Sequence, residues 1–149
     1  RFNANLEHAK PEVVRLLHGA GFSAHIIAGK LERGIFCDPV VLAEFRSTLG
    51  RRVPIKLICS TEVAESANAV IALADEFPGL FDVRRAQGYP PAHYMIIDDL
   101  QVFIEKYHPP GSDKRHGVTM RNARHLGPWL ALNFQEHWDR LAPSGVGVD

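Results

Sequence analysis

The sequence predicts an α/β domain in which a mixed β-sheet is flanked by helices on both faces. Three observations carry this expectation. Through the first half, segments with apolar residues at helical spacing alternate with short apolar runs of strand length. Three strand-like segments then follow one another and are expected to pair as neighbours. A last segment carries a helix-period stripe long enough to cover a sheet face.

Taken in order, Leu6, Ala9, Val13, Leu16 and Leu17 recur at helical spacing and Gly19 with Gly21 supplies a stop, predicting a first helix over about residues 4–18. Ser23 to Gly29 is short, apolar and closed by glycine, as a buried strand should be. Asp38 followed by Pro39 offers an N-cap with proline at the first helical position, and Val41, Phe45 and Leu49 continue one face to Gly50. Val53 to Cys59 reads as a core strand. Ser60-Thr61-Glu62 leads into a third helix with Val63, Ala67, Val70, Ile71 and Ala74 on one stripe, ending before Pro78-Gly79. Strands are expected at Phe81–Arg85, His93–Ile97 and Gln101–Tyr107, the last two joined by a tight acidic turn at Asp98-Asp99. His108 to Gly117, with Pro109, Pro110, Gly111 and Ser112, predicts a flexible loop before a brief strand around Val118. Leu126, Leu130, Phe134, Trp138 and Leu141 define the closing helix, and Pro143 to Asp149 is expected to fray.

With 149 residues, 46% of them hydrophobic, the chain can bury one real core, so residues 1–149 are read as a single domain. It opens on Arg1 and enters a helical pattern almost at once, which suggests a domain excised from a longer protein whose upstream part holds an effector function. Lys+Arg and Asp+Glu both number 17, so there is no global basic surplus to draw the chain onto nucleic acid or an anionic membrane. No window approaches the roughly 18 apolar residues of a membrane span, and no signal segment opens the chain. Cys37 and Cys59 lie in or beside apolar runs without metal-type spacing, which favours free buried thiols, a reducing compartment and a cytoplasmic location.

The stretch Pro91-Ala92-His93-Tyr94-Met95-Ile96-Ile97-Asp98-Asp99, followed by Gln101-Val102-Phe103-Ile104, resembles the core of the phospholipase-D superfamily. In that family a strand carries histidine, one residue, lysine, four residues and aspartate, then a turn and a second apolar strand. Laid on this chain, the aspartate falls on Asp98, the lysine position on His93 and the histidine position on Pro91. The order of elements, with a late helix carrying Phe134-x-x-x-Trp138, extends the resemblance over most of the chain and implies one half of that fold.

The resemblance also implies what has been lost. Family members attack a phosphodiester with a histidine nucleophile, use a second histidine as general acid and hold the phosphate with lysines. Proline has no nucleophilic group, and a near-neutral imidazole is a poor substitute for the lasting charge of lysine. The Gly-Ser and Asn that usually follow the second strand are replaced by Glu105-Lys106-Tyr107. The expected function is therefore a catalytically inactive module that senses a ligand or binds a protein partner and regulates an attached domain. A phosphodiesterase or nuclease with an altered active site, and an oligomerisation scaffold without a ligand, are the rival readings.

The expected pocket draws on His93, Asp98, Glu105 and Lys106, with Arg84 or Arg85 adding positive charge toward a small-molecule or phosphate-bearing ligand. Antiparallel pairing about Asp99-Leu100 sets opposite each other residues whose numbers sum to about 199, so His93 is expected near Lys106, and a one-residue bulge would switch its partner to Glu105. Lys114-Arg115-His116 with Arg121 and Arg124 forms a small basic cluster of the kind usually left solvated. The histidine pairs His108/His116 and His125/His137 lack zinc-ligand spacing, and no glycine-rich phosphate loop is present, so neither a metal nor a cofactor is expected. A homodimer is implied by the resemblance, since lone halves commonly pair.

Overall fold

The computed structural model describes residues 2–29, 31, 35–63, 65–88, 92–106 and 114–143. Its elements are β1 (Phe2–Asn5), α1 (Leu6–His18), β2 (Ala24–Ile27), α2 (Pro39–Gly50), β3 (Ile55–Ser60), a 3-10 turn (Glu65–Ala67), α3 (Asn68–Ile71), α4 (Leu73–Glu76), β4 (Phe81–Ala86), β5 (Ala92–Ile97), β6 (Gln101–Lys106), β7 (Lys114–Met120) and α5 (Leu126–Arg140). The seven strands form one sheet in the order β1-β7-β6-β5-β2-β3-β4. β2, β3 and β4 run parallel, as helical crossovers require, while β5, β6, β7 and β1 are antiparallel to their neighbours. The sheet is mixed, with helices on both faces.

Alternation along the strands divides the apolar residues between two cores. Ala24, Ile26, Ile55, Leu57, Phe81, Val83, Met95 and Ile97 face α1, α2 and the short helices, and with Val13, Leu16, Leu17, Val41, Phe45 and Leu49 they form the larger core. The alternate residues Ile27, Ile58 and Ile96 meet Phe134 and Trp138 of α5 on the other face. Two cations lie over Trp138, with the Arg84 guanidinium 4.4 Å and the Lys56 ammonium 5.4 Å from its ring centroid. Arg84 also donates to the Leu141 carbonyl at 3.1 Å, tying β4 to the end of the helix.

The N-cap of α2 follows the sequence. Asp38 accepts from the amides of Val40 and Val41 at 2.9 and 3.4 Å, and Pro39 occupies the first helical turn. Four local expectations fail, each because the deciding contact is remote or the period differs. Residues Phe2–Asn5 are an edge strand on β7 rather than the start of α1, a pairing across more than 100 residues that no local pattern signals. The single third helix is broken into a 3-10 turn and two single turns. Its buried residues Ala67, Val70 and Leu73 repeat every three positions, the period of the tighter helix, and neither α3 nor α4 has a side-chain cap. β7 begins at Lys114, inside the expected loop, because it is held between β6 and β1. Gly117 is needed there: a Cβ would lie 3.2 Å from the Phe103 ring. Pro143 is bridged to Arg84 rather than frayed, and the rest of the expected tail and the loop residues 107–113 lie outside the described residues.

Because Phe134 and Trp138 are almost wholly buried and supply the largest side chains of the smaller core, Trp138→Ala should destabilise the fold by about 3–5 kcal/mol, read as a fall in the urea midpoint.

Candidate functional site

The site begins at the open end of the β5–β6 hairpin. The chain reverses through three residues, Asp98, Asp99 and Leu100, with the two aspartates at φ 54° and 56° and the Leu100 amide donating to the Ile97 carbonyl at 3.0 Å. Asp tolerates this left-handed backbone better than most residues. The extra loop residue shifts the register, so Ile97 faces Gln101 and His93 faces Glu105. The expected pairing of His93 with Lys106 is therefore corrected: Lys106 lies opposite Ala92, exposed on the other face.

His93 and Glu105 meet side chain to side chain, with Nδ1 3.6 Å from Oε1. The carboxylate is almost wholly buried and the imidazole about one fifth exposed. A glycine makes room for the imidazole: a Cβ on Gly29, beyond the end of β2, would come within 3.3 Å of His93 Nε2. The arrangement sets a carboxylate in the heart of the site, which opposes binding of an anion.

Asp98 does not belong to this pair. It stands at the far end of β5, five residues and about 16 Å along the strand from His93. Its Oδ2 accepts from the Gly21 amide at 2.8 Å, and its Oδ1 accepts from the amides of Phe22 and Ser23 at 2.7 and 2.9 Å. The aspartate is a clamp on the loop that enters β2. Arg84, expected to add positive charge, is committed to Trp138 on the α5 face. Thus only His93 and Glu105 of the four expected site residues come together. Pro91 lies outside the described residues, as does His108. His125 and His137 flank α5 at opposite ends, about 18 Å apart. Among the described residues no group of three His, Cys, Asp or Glu is placed to hold a metal ion.

A cavity of about 450 Å³ opens on the other face of the sheet and was missed by sequence reasoning. Ile27, Ile58, Ser60, Ala86 and Tyr94 line it beside the last turns of α5. Tyr94 belongs to the same motif strand as His93, but adjacent residues point to opposite faces, and nothing local marks which side will be open. Burial pushes the Tyr94 hydroxyl up to about 12 and, chiefly by the same cause, the neighbouring Cys59 thiol up to about 11.

Among solved structures, Nuc from Salmonella typhimurium, a phospholipase D family member, aligns with a TM-score of 0.74 at 16% identity, over 96% of this chain and 95% of its own. The chain has the phospholipase-D-like fold. NucT from Helicobacter pylori shares this phospholipase-D-like architecture with a TM-score of 0.71 at 13% identity, covering 96% of this chain and 99% of its own. TrmBL2, an archaeal chromatin protein, aligns with a TM-score of 0.73 at 14% identity over 95% of this chain, which spans about half of that protein (52%). No family model and no curated protein sequence matches the chain. Within this fold, Asp98 clamps the loop before β2, and His93 with the buried Glu105 carboxylate forms the polar pair at the open end of the hairpin.

Two outcomes follow. Asp98→Ala, which removes the acceptor for three amides, should cost about 2–4 kcal/mol in urea unfolding, with Asp98→Asn intermediate. Tyr94 keeps its proton in the fold to about pH 12, whereas in the unfolded chain it ionises near 10, so its contribution is complete below pH 10 and is lost as pH rises from 10 to 12. Across that window the urea midpoint of Tyr94→Phe should fall less steeply than that of the parent.

Proposed function

We propose that this domain is a catalytically inactive phospholipase-D-like module that senses a ligand or binds a partner and regulates a domain attached to it. The observation that carries this reading is the His93–Glu105 pair. Where the resemblance places a lysine and a small glycine beside the phosphate, this chain has an imidazole and a buried carboxylate. Pro91 at the nucleophile position cannot form a covalent phospho-enzyme. A site with proline at the nucleophile position and a carboxylate beside the imidazole is poorly suited to stabilise the charge that develops on a phosphodiester in the transition state.

Support for a regulatory role comes from TrmBL2, in which a region of this fold accounts for about half of a chromatin protein that binds DNA. By analogy, an attached effector domain and a homodimer are part of the proposal. The free thiols Cys37 and Cys59 favour a reducing compartment such as the cytoplasm.

The isolated chain should hydrolyse bis(p-nitrophenyl) phosphate no faster than buffer, with or without chelator. A sustained activity abolished by His93→Ala would overturn the proposal and favour a phosphodiesterase with an altered site.

A further inference from the structure

The cavity beneath the end of α5 lies at the carboxyl ends of the parallel strands β2, β3 and β4. β2 has a parallel neighbour on one side and the antiparallel β5 on the other, so connections diverge there and leave a crevice, the usual place for a ligand in an open α/β sheet. The alanines Ala28, Ala86 and Ala92 leave space that larger side chains would fill, while Ile27 and Ile58 give it an apolar floor. Its volume of about 450 Å³ suits a small organic molecule.

We propose that this cavity binds an uncharged small molecule with an apolar body and one hydroxyl or carbonyl edge directed at Tyr94 and Ser60. The Tyr94 hydroxyl makes no hydrogen bond among the described residues and is held neutral, so it offers an O–H donor. Ser60 Oγ accepts from the Glu62 amide at 3.2 Å, which leaves its own hydrogen to donate. An uncharged acceptor satisfies both at little desolvation cost, whereas an anion would meet the same burial that keeps Tyr94 and Cys59 protonated. At the mouth, opposite charges stand side by side. Glu136 and Arg140 there are exposed and opposite in sign, with Oε2 and Nη2 4.0 Å apart. The inference goes beyond catalytic inactivity, because this cavity and His93 lie on opposite faces of β5 and a phosphodiesterase assay does not report on it.

Titration calorimetry of the whole chain with naphthol, naphthalene sulfonate and inorganic phosphate tests the proposal. Naphthol should bind saturably at one per chain, the sulfonate at least about tenfold more weakly, and phosphate not at all, the gap reflecting desolvation of the charge. Ala86→Leu should weaken naphthol at least about tenfold by filling the cavity, and Tyr94→Phe about three- to tenfold by removing the donor. Absence of saturable naphthol binding, equal or tighter binding of the sulfonate, or unchanged affinity in a folded Ala86→Leu would each overturn it. If circular dichroism shows Ala86→Leu unfolded, Tyr94→Phe decides, and parental affinity there overturns the assignment.

Discussion

The carboxylate of Asp98 gathers three backbone amides, from Gly21, Phe22 and Ser23, and thereby joins the β5–β6 hairpin to the loop that starts β2. β2 and β5 are the antiparallel pair at which the parallel and antiparallel halves of the sheet meet. One side chain thus satisfies donors that would otherwise be left at the rim of the sheet and ties together the strands where its two halves join. The same turn seats the last helix. The Leu100 carbonyl accepts from the Ala123 amide at 2.8 Å, and a Cβ on Gly127 would lie 2.3 Å from the Asp99 carbonyl oxygen. The hairpin turn, the β2 loop and the start of α5 therefore pack as one joint, which gives the aspartate a structural role independent of any chemistry.

From that joint the rest of the motif follows as geometry. A three-residue reversal, with two aspartates in left-handed backbone, moves the pairing by one position and puts Glu105 rather than Lys106 beside His93. Side-chain period along a strand is two, so this single step exchanges a cation for an anion on the face concerned. A buried carboxylate therefore lies 3.6 Å from the imidazole, a polar contact at the open end of the hairpin.

The two faces of β5 have separate characters. His93, Met95 and Ile97 look toward the larger core, while Tyr94 and Ile96 look toward α5. On the α5 side the packing is tight around Phe134, which stacks on His25 with ring centroids 4.7 Å apart, and around Trp138 with its two cations. Burial lowers the His25 pKa, with the Lys56 charge adding to the effect, so that ring is held toward the neutral form that suits stacking. Packing loosens toward the carboxyl ends of β2 to β4, where alanines replace large side chains and the cavity opens. Tight packing at one end and open space at the other come from one helix crossing one sheet.

Much of this was written in local sequence. The periodicity of Leu16, Phe45 and Trp138, the cap at Asp38 and the apolar runs around Ile26 and Leu57 determined the α/β class and most elements, because those signals depend only on neighbours a turn or a strand apart. The strand–turn–strand around Asp98 likewise pointed to the phospholipase-D-like architecture. Tertiary structure alone decided the rest. Whether Asp98 lined a pocket or clamped a loop depended on amides some 75 residues away, whether His93 met Glu105 or Lys106 depended on one residue of turn geometry, and whether the space beside Tyr94 was filled depended on where α5 came to lie. Each turns on distances between segments remote in the chain, and a linear pattern of residue types does not encode those distances.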